Sequence, residues 1–291
     1  MDQRIINLYD RFTHGELNRR DFLDRLTKLA GSAAAAAAML PLLQNDYAQA
    51  AIVADNDARL VTERASYDSP KGKINGYLAR AKAKSKRPVV LVIHENRGLN
   101  PHLEDVARRF ALEGFLAYAV DLLSLVGGTP ANEDAARDLH PKMNQDDAVV
   151  ALVAAVSYLK THPESTGKVG AVGFCFGGLM LNRLAASSPQ LDAGVAYYGR
   201  QVPAAQVPNI KAALLLHYAE KDDGVNAGIA AYEEALKANN KKYTKHIYPG
   251  TQHAFNNELG AARYNKAAAD LAWQRTLAFF KEQLGTPPRA A

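Results

Sequence analysis

The chain has 291 residues, with 48% hydrophobic and 22% charged side chains and a formal net charge of +5. This length and composition fit one substantial globular core with an extension, and the modest charge, without a basic stripe interleaved with aromatic residues, argues against nucleic-acid binding. No uninterrupted apolar run of about 20 residues predicts a stable membrane span, and no Cys/His cluster or phosphate-binding glycine loop predicts a metal or an organic cofactor.

The first 50 residues differ in kind from the rest. They contain twin arginines, Arg19 and Arg20, then six consecutive alanines at 33–38, and an Ala-x-Ala sequence that ends at Ala50. This order is typical of a twin-arginine export signal that is cleaved after Ala50. We would then expect a folded passenger in a bacterial periplasm, and a cytoplasmic protein if the signal is not used.

A retained helical arm is the alternative interpretation of the same segment. Its acidic residues are unusual for an export signal, and alanine is the best helix former. Five apolar residues could form one face of an amphipathic helix: Leu8, Phe12, Phe22, Leu26 and Leu29. Such an arm would pack on the following domain or on a neighbouring subunit, so that an oligomer could form through it. Both interpretations stay open.

Between residues 51 and 291, apolar runs alternate with helical patterns, which predicts one α/β domain. The predicted strands are 60–67, 73–80, 89–94, 115–120, 169–174, 193–198, 212–218 and 243–248. The predicted helices are 102–113, 146–161, 225–239 and 263–284. Runs that are apolar on both faces indicate a mostly parallel sheet with helices on both sides, opened by an antiparallel pair. The long segment 121–143 is predicted to be a cap or substrate wall.

The only cysteine stands at a sharp turn between a predicted strand and a predicted helix. The sequence there is Gly173-Phe174-Cys175-Phe176-Gly177-Gly178. This context is typical of the nucleophile elbow of α/β-hydrolases, with sulfur in place of the usual serine oxygen. The glycines would let strand and helix pass closely around a strained nucleophile. A small buried cysteine before a tight turn is the alternative interpretation.

Two further groups follow Cys175 in the chain order of an α/β-hydrolase triad, which is nucleophile, acid, histidine. Asp222 and Asp223 come directly after a predicted strand, and His253 lies on a turn-rich loop after the next strand. This order predicts a catalytic triad of Cys175, one of the two aspartates, and His253.

These residues belong to a wider resemblance. The matching segments are His94 to Leu99, Gly173 to Gly178, Tyr197 to Gly199, His217 to Asp222 with Val225, and His253 to Phe255. Together they make the chain resemble the dienelactone hydrolase (carboxymethylenebutenolidase) family over roughly residues 61–284. The resemblance implies an α/β-hydrolase fold and hydrolysis of a small ester or lactone without a cofactor.

The resemblance also implies roles for four side chains. Cys175 would be the nucleophile, His253 the base and Asp222 the triad acid, since Asp222 has the family's three-residue spacing before Val225. Glu95 matches the glutamate that the family places against the resting thiol. Glu95 could instead only order its loop, and Asp223 is the rival for the acid.

The chemistry of those roles follows from the side chains. The thiolate is the reactive form of cysteine, so His253 would take the proton or hold the thiolate as an ion pair, and Asp222 would orient the imidazole. Attack on a carbonyl gives a thioester that water hydrolyses. The backbone N–H groups of Phe176 and Asn96 would stabilise the oxyanion.

The sequence departs from the family where the substrate is chosen. The positions of the family's carboxylate-binding arginines correspond to Leu125 and Asn257, neither of which is basic. Arg97 and His102, near the oxyanion loop, could compensate, although Arg97 could also be a solvated or ion-paired loop residue. Tyr198 could border the pocket or stack in the core. We therefore predict a small ester or lactone substrate and leave its acyl group open.

A non-catalytic small-molecule binding module on a hydrolase scaffold is the second hypothesis, because fold does not prove function. A catalytically dead relative would be expected to have lost at least one triad residue. This chain keeps all three candidates, which favours the enzyme.

Overall fold

The computed structural model describes residues 1–13, 15–46 and 51–288. Residues 1–46 form three helices, which we call the arm: α1 (Gln3–Thr13), α2 (Arg19–Ala30) and α3 (Ala33–Leu43). Side chains that accept hydrogen bonds from the first turn explain where α2 and α3 begin, since Asn18 caps α2 and Ser32 caps α3.

The arm is helical, and most of the residues expected on its apolar face are buried. Of the five residues expected on the apolar face, Leu8, Phe12, Phe22 and Leu26 are buried and Leu29 is exposed. The expected cleavage site after Ala50 lies outside the described residues, so the export signal stays a prediction.

The remaining chain forms a single eight-stranded sheet. Its strands are β1 (Leu60–Ser69), β2 (Gly72–Ala81), β3 (Arg87–Ile93), β4 (Leu116–Asp121), β5 (Ser165–Phe174), β6 (Ala193–Tyr197), β7 (Ala213–Lys221) and β8 (Tyr243–Gln252). The order across the sheet is β1-β2-β4-β3-β5-β6-β7-β8. β1 pairs with β2, and β2 with β4, in antiparallel fashion, whereas all other pairs are parallel. The predicted α/β fold with a mostly parallel sheet is confirmed.

In the described part of residues 51–288, seven α-helices accompany the sheet. They are α4 (Pro101–Leu112), α5 (Glu133–Leu139), α6 (Gln145–Lys160), α7 (Phe176–Ser187), α8 (Asp223–Asn226), α9 (Ile229–Ala238) and α10 (Lys266–Leu284). α4 and α10 contribute to the core on one face of the sheet, and α6, α7 and α9 to the core on the other. Successive residues of β3 alternate between the two cores, with Leu91 in one and Val92 in the other, because side chains of a strand point to opposite faces.

Three local features differ from what hydrophobic periodicity predicted. The helix predicted at 225–239 is divided into α8 and α9. The helix predicted from 263 begins at Lys266, because the Asn265 side chain accepts from the N–H of Ala268. The segment 121–143 holds α5 and two short 3-10 turns rather than an irregular loop.

Within the described chain, no single helix is long and apolar enough to cross a membrane. α2 and α3 satisfy the length and composition only when taken together, and a bend of 112° separates them.

Candidate active site

The parallel strands end at one edge of the sheet, and the predicted site residues follow them there. Glu95 and Asn96 come after β3, Cys175 after β5, Tyr198 after β6, Asp222 after β7 and His253 after β8. Ligands of open α/β sheets bind outside the carboxyl ends of the strands, so this edge is the expected place for a site.

Cys175 lies on a strained turn between β5 and α7. Its backbone has φ 55° and ψ −115°, in the left-handed half of conformational space that non-glycine residues rarely occupy. Strand and helix pass so closely that a Cβ atom at Gly173 would stand 2.0 Å from the carbonyl oxygen of Gly177. A Cβ at Gly177 would stand 2.3 Å from the carbonyl oxygen of Ile93. The elbow therefore holds the cysteine at the head of α7, partly exposed.

The histidine and one aspartate form a buried pair. Nδ1 of His253 lies 2.7 Å from Oδ2 of Asp222, and both side chains are buried. Asp222 stands directly before α8, whereas Asp223 is the first residue of that helix and is exposed. Because Nδ1 is engaged by the carboxylate, Nε2 is the nitrogen left for proton transfer. The structure thus pairs Asp222, rather than Asp223, with His253.

Opposing effects act on the pKa of His253. Burial disfavours the imidazolium and lowers the pKa, but the negative charges of Asp222, of Cys175 as a thiolate and of Asp10 in the arm outweigh it. The pKa of His253 is therefore held well above its ordinary value, which favours an imidazolium beside the thiol.

Phe176 and Asn96, whose backbone N–H groups were expected to stabilise an oxyanion, both lie at this edge of the sheet. Phe176 is the first residue of α7, where N–H groups have no partner within the helix. Asn96 lies on the loop after β3. That loop is held by His94, whose Nε2 accepts from the N–H of Leu122 at 3.1 Å, so that Nδ1 carries the proton and donates to the carbonyl of Glu95 at 2.5 Å. Burial lowers the pKa of His94, which keeps this tautomer neutral.

Glu95 and Tyr198 are two further buried residues at this edge of the sheet. Oε2 of Glu95 accepts from the Asn257 amide at 3.4 Å, while Oε1 is buried without a hydrogen-bond partner in the described chain. The Tyr198 ring lies 4.9 Å from the His253 ring, and its hydroxyl is also buried without such a partner. Burial, then Glu95 and Cys175, raise the pKa of Tyr198 well above its usual range. Tyr198 is thus a neutral phenol at the cavity.

A cavity of about 270 Å³ opens beside the thiol. Cys175, Phe176, Tyr198 and His253 line it from the sheet edge. Residues of the segment 121–143 and residues of the arm line the same cavity. Within the described residues, no group of three or more His, Cys, Asp or Glu side chains could hold a metal ion.

The two residues expected to compensate for the missing arginines are engaged elsewhere. Arg97 is buried, with Nε 2.5 Å from Glu133, and donates to the hydroxyl of Tyr9 at 3.1 Å. His102 pairs with Glu258 at 2.9 Å. Neither lines the cavity beside Cys175. Arg97 is therefore an ion-paired loop residue, which was the alternative interpretation of this residue from the sequence.

Sequence reasoning missed the basic groups that do line the cavity. They are Arg200, two residues after Tyr198, and Arg137 with His140 in the segment 121–143. Arg137 belongs to α5, inside the predicted wall, so its region was expected but not the residue. Arg200 directly follows the segment Tyr197 to Gly199, so its place at this edge of the sheet had a local signal, although its approach to the cavity depends on long-range packing.

Comparison with known proteins places the chain among hydrolases. A family model described as "Dienelactone hydrolase family" matches residues 74–284, and a second one, described as "YqhI-like", matches residues 1–31. The "Protein usf" of Aquifex pyrophilus is 37% identical over 222 residues, covering 73% of this chain and 94% of that protein. A "Putative carboxymethylenebutenolidase" of a Synechocystis species is 32% identical over 230 residues, covering 73% and 93%.

A solved structure agrees with the fold. The crystal structure described as "Putative Dienelactone Hydrolase" from Klebsiella pneumoniae subsp. pneumoniae superimposes with a TM-score of 0.70 at 29% identity. It covers 77% of this chain and 99% of its own. The arm lies outside the residues that the larger family model matches.

Proposed function

The chain belongs to the dienelactone hydrolase family of ester and lactone hydrolases, and we propose that it cleaves its substrate through Cys175, His253 and Asp222. One observation carries this proposal: the buried pair of His253 and Asp222, 2.7 Å apart, lies at the cavity that Cys175 lines from its strained elbow. A nucleophile, a base and a group that orients the base are the parts that covalent acyl transfer needs.

The first half of the reaction forms a thioester. The sulfur of Cys175, as a thiolate beside the His253 imidazolium, bonds to the carbonyl carbon, and the carbonyl electrons move to the oxygen. The N–H groups of Phe176 and Asn96 stabilise that oxyanion. The intermediate collapses when the bond from carbon to the leaving oxygen breaks, and that oxygen takes the proton from Nε2 of His253. A lactone opens here to a tethered alcohol.

The second half releases the acid. Water attacks the thioester carbon while neutral His253 takes a proton from it through Nε2. The carbon–sulfur bond breaks, and the sulfur leaves as a thiolate whose charge the imidazolium again balances. Asp222 keeps Nε2 directed toward the reacting atoms in both halves and stabilises the charged ring.

Glu95 sets how much of the thiol is ionised before substrate arrives. Its carboxylate is buried and acts on Tyr198, as the thiol does, and a negative charge disfavours a thiolate nearby. His253 acts in the opposite direction. We propose that the balance between the two keeps the sulfur available but restrained.

Arg200 supplies a positive charge for a carboxylated substrate. The family positions for such a charge hold Leu125 and Asn257, and Asn257 is engaged by Glu95. Arg200 lines the cavity and is exposed, while Arg137 is already in ion pairs with Asp134 and Asp138. A carboxylated lactone is therefore compatible with this cavity even without the family's arginines.

The test is a panel of small esters and lactones, with and without a carboxylate, assayed with wild type, Cys175→Ala and Cys175→Ser. We expect turnover by wild type, loss of at least about a thousandfold in Cys175→Ala, and a weak remainder in Cys175→Ser, whose hydroxyl is a poorer nucleophile here. Unchanged turnover in Cys175→Ala would overturn the proposed function.

A further inference from the structure

The arm has a hydrophobic core of its own. Residues from all three helices meet in one cluster, in which the Phe12 and Phe22 rings stack 4.4 Å apart. The buried members are Ile5, Leu8, Tyr9, Phe12, Leu17, Phe22, Leu26, Ala36 and Leu43. Because this cluster is separate from the two cores of the sheet, the arm is a compact unit rather than an extended leader laid over the surface.

The arm is fixed to the oxyanion loop. The side-chain amide of Asn96 donates to the carbonyl oxygen of Thr13 at the end of α1. The next residue, Arg97, donates to the hydroxyl of Tyr9. Both arginine and asparagine are buried. The loop that supplies an oxyanion donor is therefore held from one side by His94 and from the other by α1.

The arm is also fixed on the histidine side of the cavity. Arg263 lies 3.6 Å from Asp10 and stacks on the Tyr9 ring at 5.2 Å. On the far side, the guanidinium of Arg137 lies 4.3 Å from the centre of the Phe12 ring. Cations over aromatic faces at these distances are attractive, and more so where water is excluded. The arm thus bridges three elements around the thiol.

The turn after α1 forms part of the cavity itself. Thr13, Gly15 and Glu16 line the cavity of about 270 Å³ together with Cys175 and His253. Glu16 is half-exposed and pairs with Arg11 at 3.0 Å. It brings a negative charge to a cavity whose other ionised side chains, apart from the catalytic ones, include Arg137 and Arg200. The arm therefore contributes both bulk and charge to the space that a substrate must enter.

We propose that the arm is a permanent roof of the active site, and that its turn at Glu16 selects substrates by size and charge. The inference rests on the proposed function of Cys175. It also means that the arm is part of the working enzyme: a chain cut after Ala50 would lose this wall of the cavity and the contacts to Asn96 and Arg97. The separate family model for residues 1–31 agrees with a unit that recurs in proteins.

The experiment substitutes Glu16 in the full chain. The same substitutions at Asp24, an exposed acidic residue of α2 that does not line the cavity, are the control. Glu16→Lys and Glu16→Trp are compared with Asp24→Lys and Asp24→Trp. Intact mass first shows whether the purified chains keep the arm. Two substrate series follow: esters of equal size with and without a carboxylate, and neutral esters of increasing acyl length.

We expect Glu16→Lys to raise the ratio of kcat/KM for carboxylated esters to kcat/KM for neutral esters by about fivefold or more. The reason is that the charge changes by two units at a short, partly hydrated distance from the substrate. We expect Glu16→Trp to lower kcat/KM by about tenfold for long acyl chains and by less than about twofold for acetyl esters. Each Asp24 variant should stay within about twofold of wild type in both series.

The proposed roof would be contradicted if the Glu16 and Asp24 variants behaved alike. An active purified chain that starts at Ala51 would contradict it as well. Cys175→Ala is assayed beside them, since its loss of turnover upholds the proposed function even where the roof fails. Turnover that survives in Cys175→Ala would instead remove the premise of both.

Discussion

The charge state of the site depends on how a few buried groups act on one another. His253 stands among three acidic groups, Asp222, Cys175 and Asp10, which raise its pKa and favour the imidazolium. That charge favours the thiolate, whereas Glu95 disfavours it. The reactivity of Cys175 is therefore the outcome of two opposing neighbours, which single substitutions can separate.

We predict that His253→Ala and Glu95→Gln change the rate at which iodoacetamide alkylates Cys175 in opposite directions. In wild type the rate should fall less steeply between pH 8 and pH 6 than the rate of an ordinary thiol, because a histidine of raised pKa favours the thiolate beside it. In His253→Ala the rate at pH 7 should fall by about tenfold or more, and its profile should move toward the ordinary thiol pKa of about 8.5. In Glu95→Gln the rate at pH 7 should rise.

The same reagent applied to Cys175→Ala gives the background, since the chain has one cysteine. A His253→Ala profile that coincides with wild type would show that the imidazole does not control the thiol. A fall in Glu95→Gln would show that the carboxylate supports the thiolate rather than restraining it.

Adjacent aspartates provide a matched pair for the triad acid. Asp222→Asn should lower kcat by roughly a hundredfold to ten-thousandfold, because the neutral amide neither fixes the imidazole tautomer nor stabilises its charge. Asp223→Asn should leave kcat within about threefold, since that side chain is exposed at the head of α8. Steady-state kinetics on one neutral ester measure both. The reverse ranking would assign the acid to Asp223.

At the scale of elements, the turn at Cys175 depends on backbone segments that pass too closely to leave room for a Cβ atom between them. We predict that Gly177→Ala lowers the free energy of unfolding by about 3 kcal/mol or more and removes activity, because its Cβ would meet the carbonyl of Ile93. Gly167→Ala is the control: its φ of 83° makes alanine cost about 1–2 kcal/mol, but nothing lies within 4 Å of the added atom.

Urea unfolding, monitored by circular dichroism, and activity assays distinguish the effects of the two glycine substitutions. Gly167→Ala should keep its activity in the folded state. A Gly177→Ala protein as stable and active as Gly167→Ala would contradict the close passage of β5 and α7 around Cys175.

Elements with strong hydrophobic patterns could be predicted from the sequence, and those fixed by polar contacts could not. The central apolar runs form strands that are buried on both faces, as β3 illustrates, whereas β1 and β8 at the edges of the sheet are buried at only a few positions. The division between α8 and α9 and the start of α10 at Lys266 depend instead on local hydrogen bonds and a cap. The arm was predicted as one of two alternatives, since alanine-rich helices suit a leader and a packed unit equally well.

At the scale of the whole molecule, the sheet brings Cys175, Asp222 and His253 to one edge, and residues of the arm line the cavity there. The order of Cys175, Asp222 and His253 along the chain was enough to predict which groups meet, because parallel strands deliver them to the same side. The walls of the cavity could not be predicted in this way. Arg200 and Glu16 come from segments whose positions depend on long-range packing, and Arg97, expected near substrate, is bound by α1 and α5.

Two predictions about the whole chain stay predictions. One is the oligomer through the arm, and the other is export to a periplasm. The proposed roof predicts that cleavage after Ala50 would remove a wall of the cavity, so the intact mass of the active protein bears on both the arm and the location.

The most direct test of the central claim is to trap the acyl group on the enzyme. Wild type is mixed with a neutral ester, quenched in acid within milliseconds to seconds, and measured as an intact protein and as peptides. We predict a mass increase equal to the acyl group, located on the peptide that contains Cys175, removed by hydroxylamine and absent in Cys175→Ala. Turnover without any acyl adduct, or an adduct that persists in Cys175→Ala, would contradict catalysis through this cysteine.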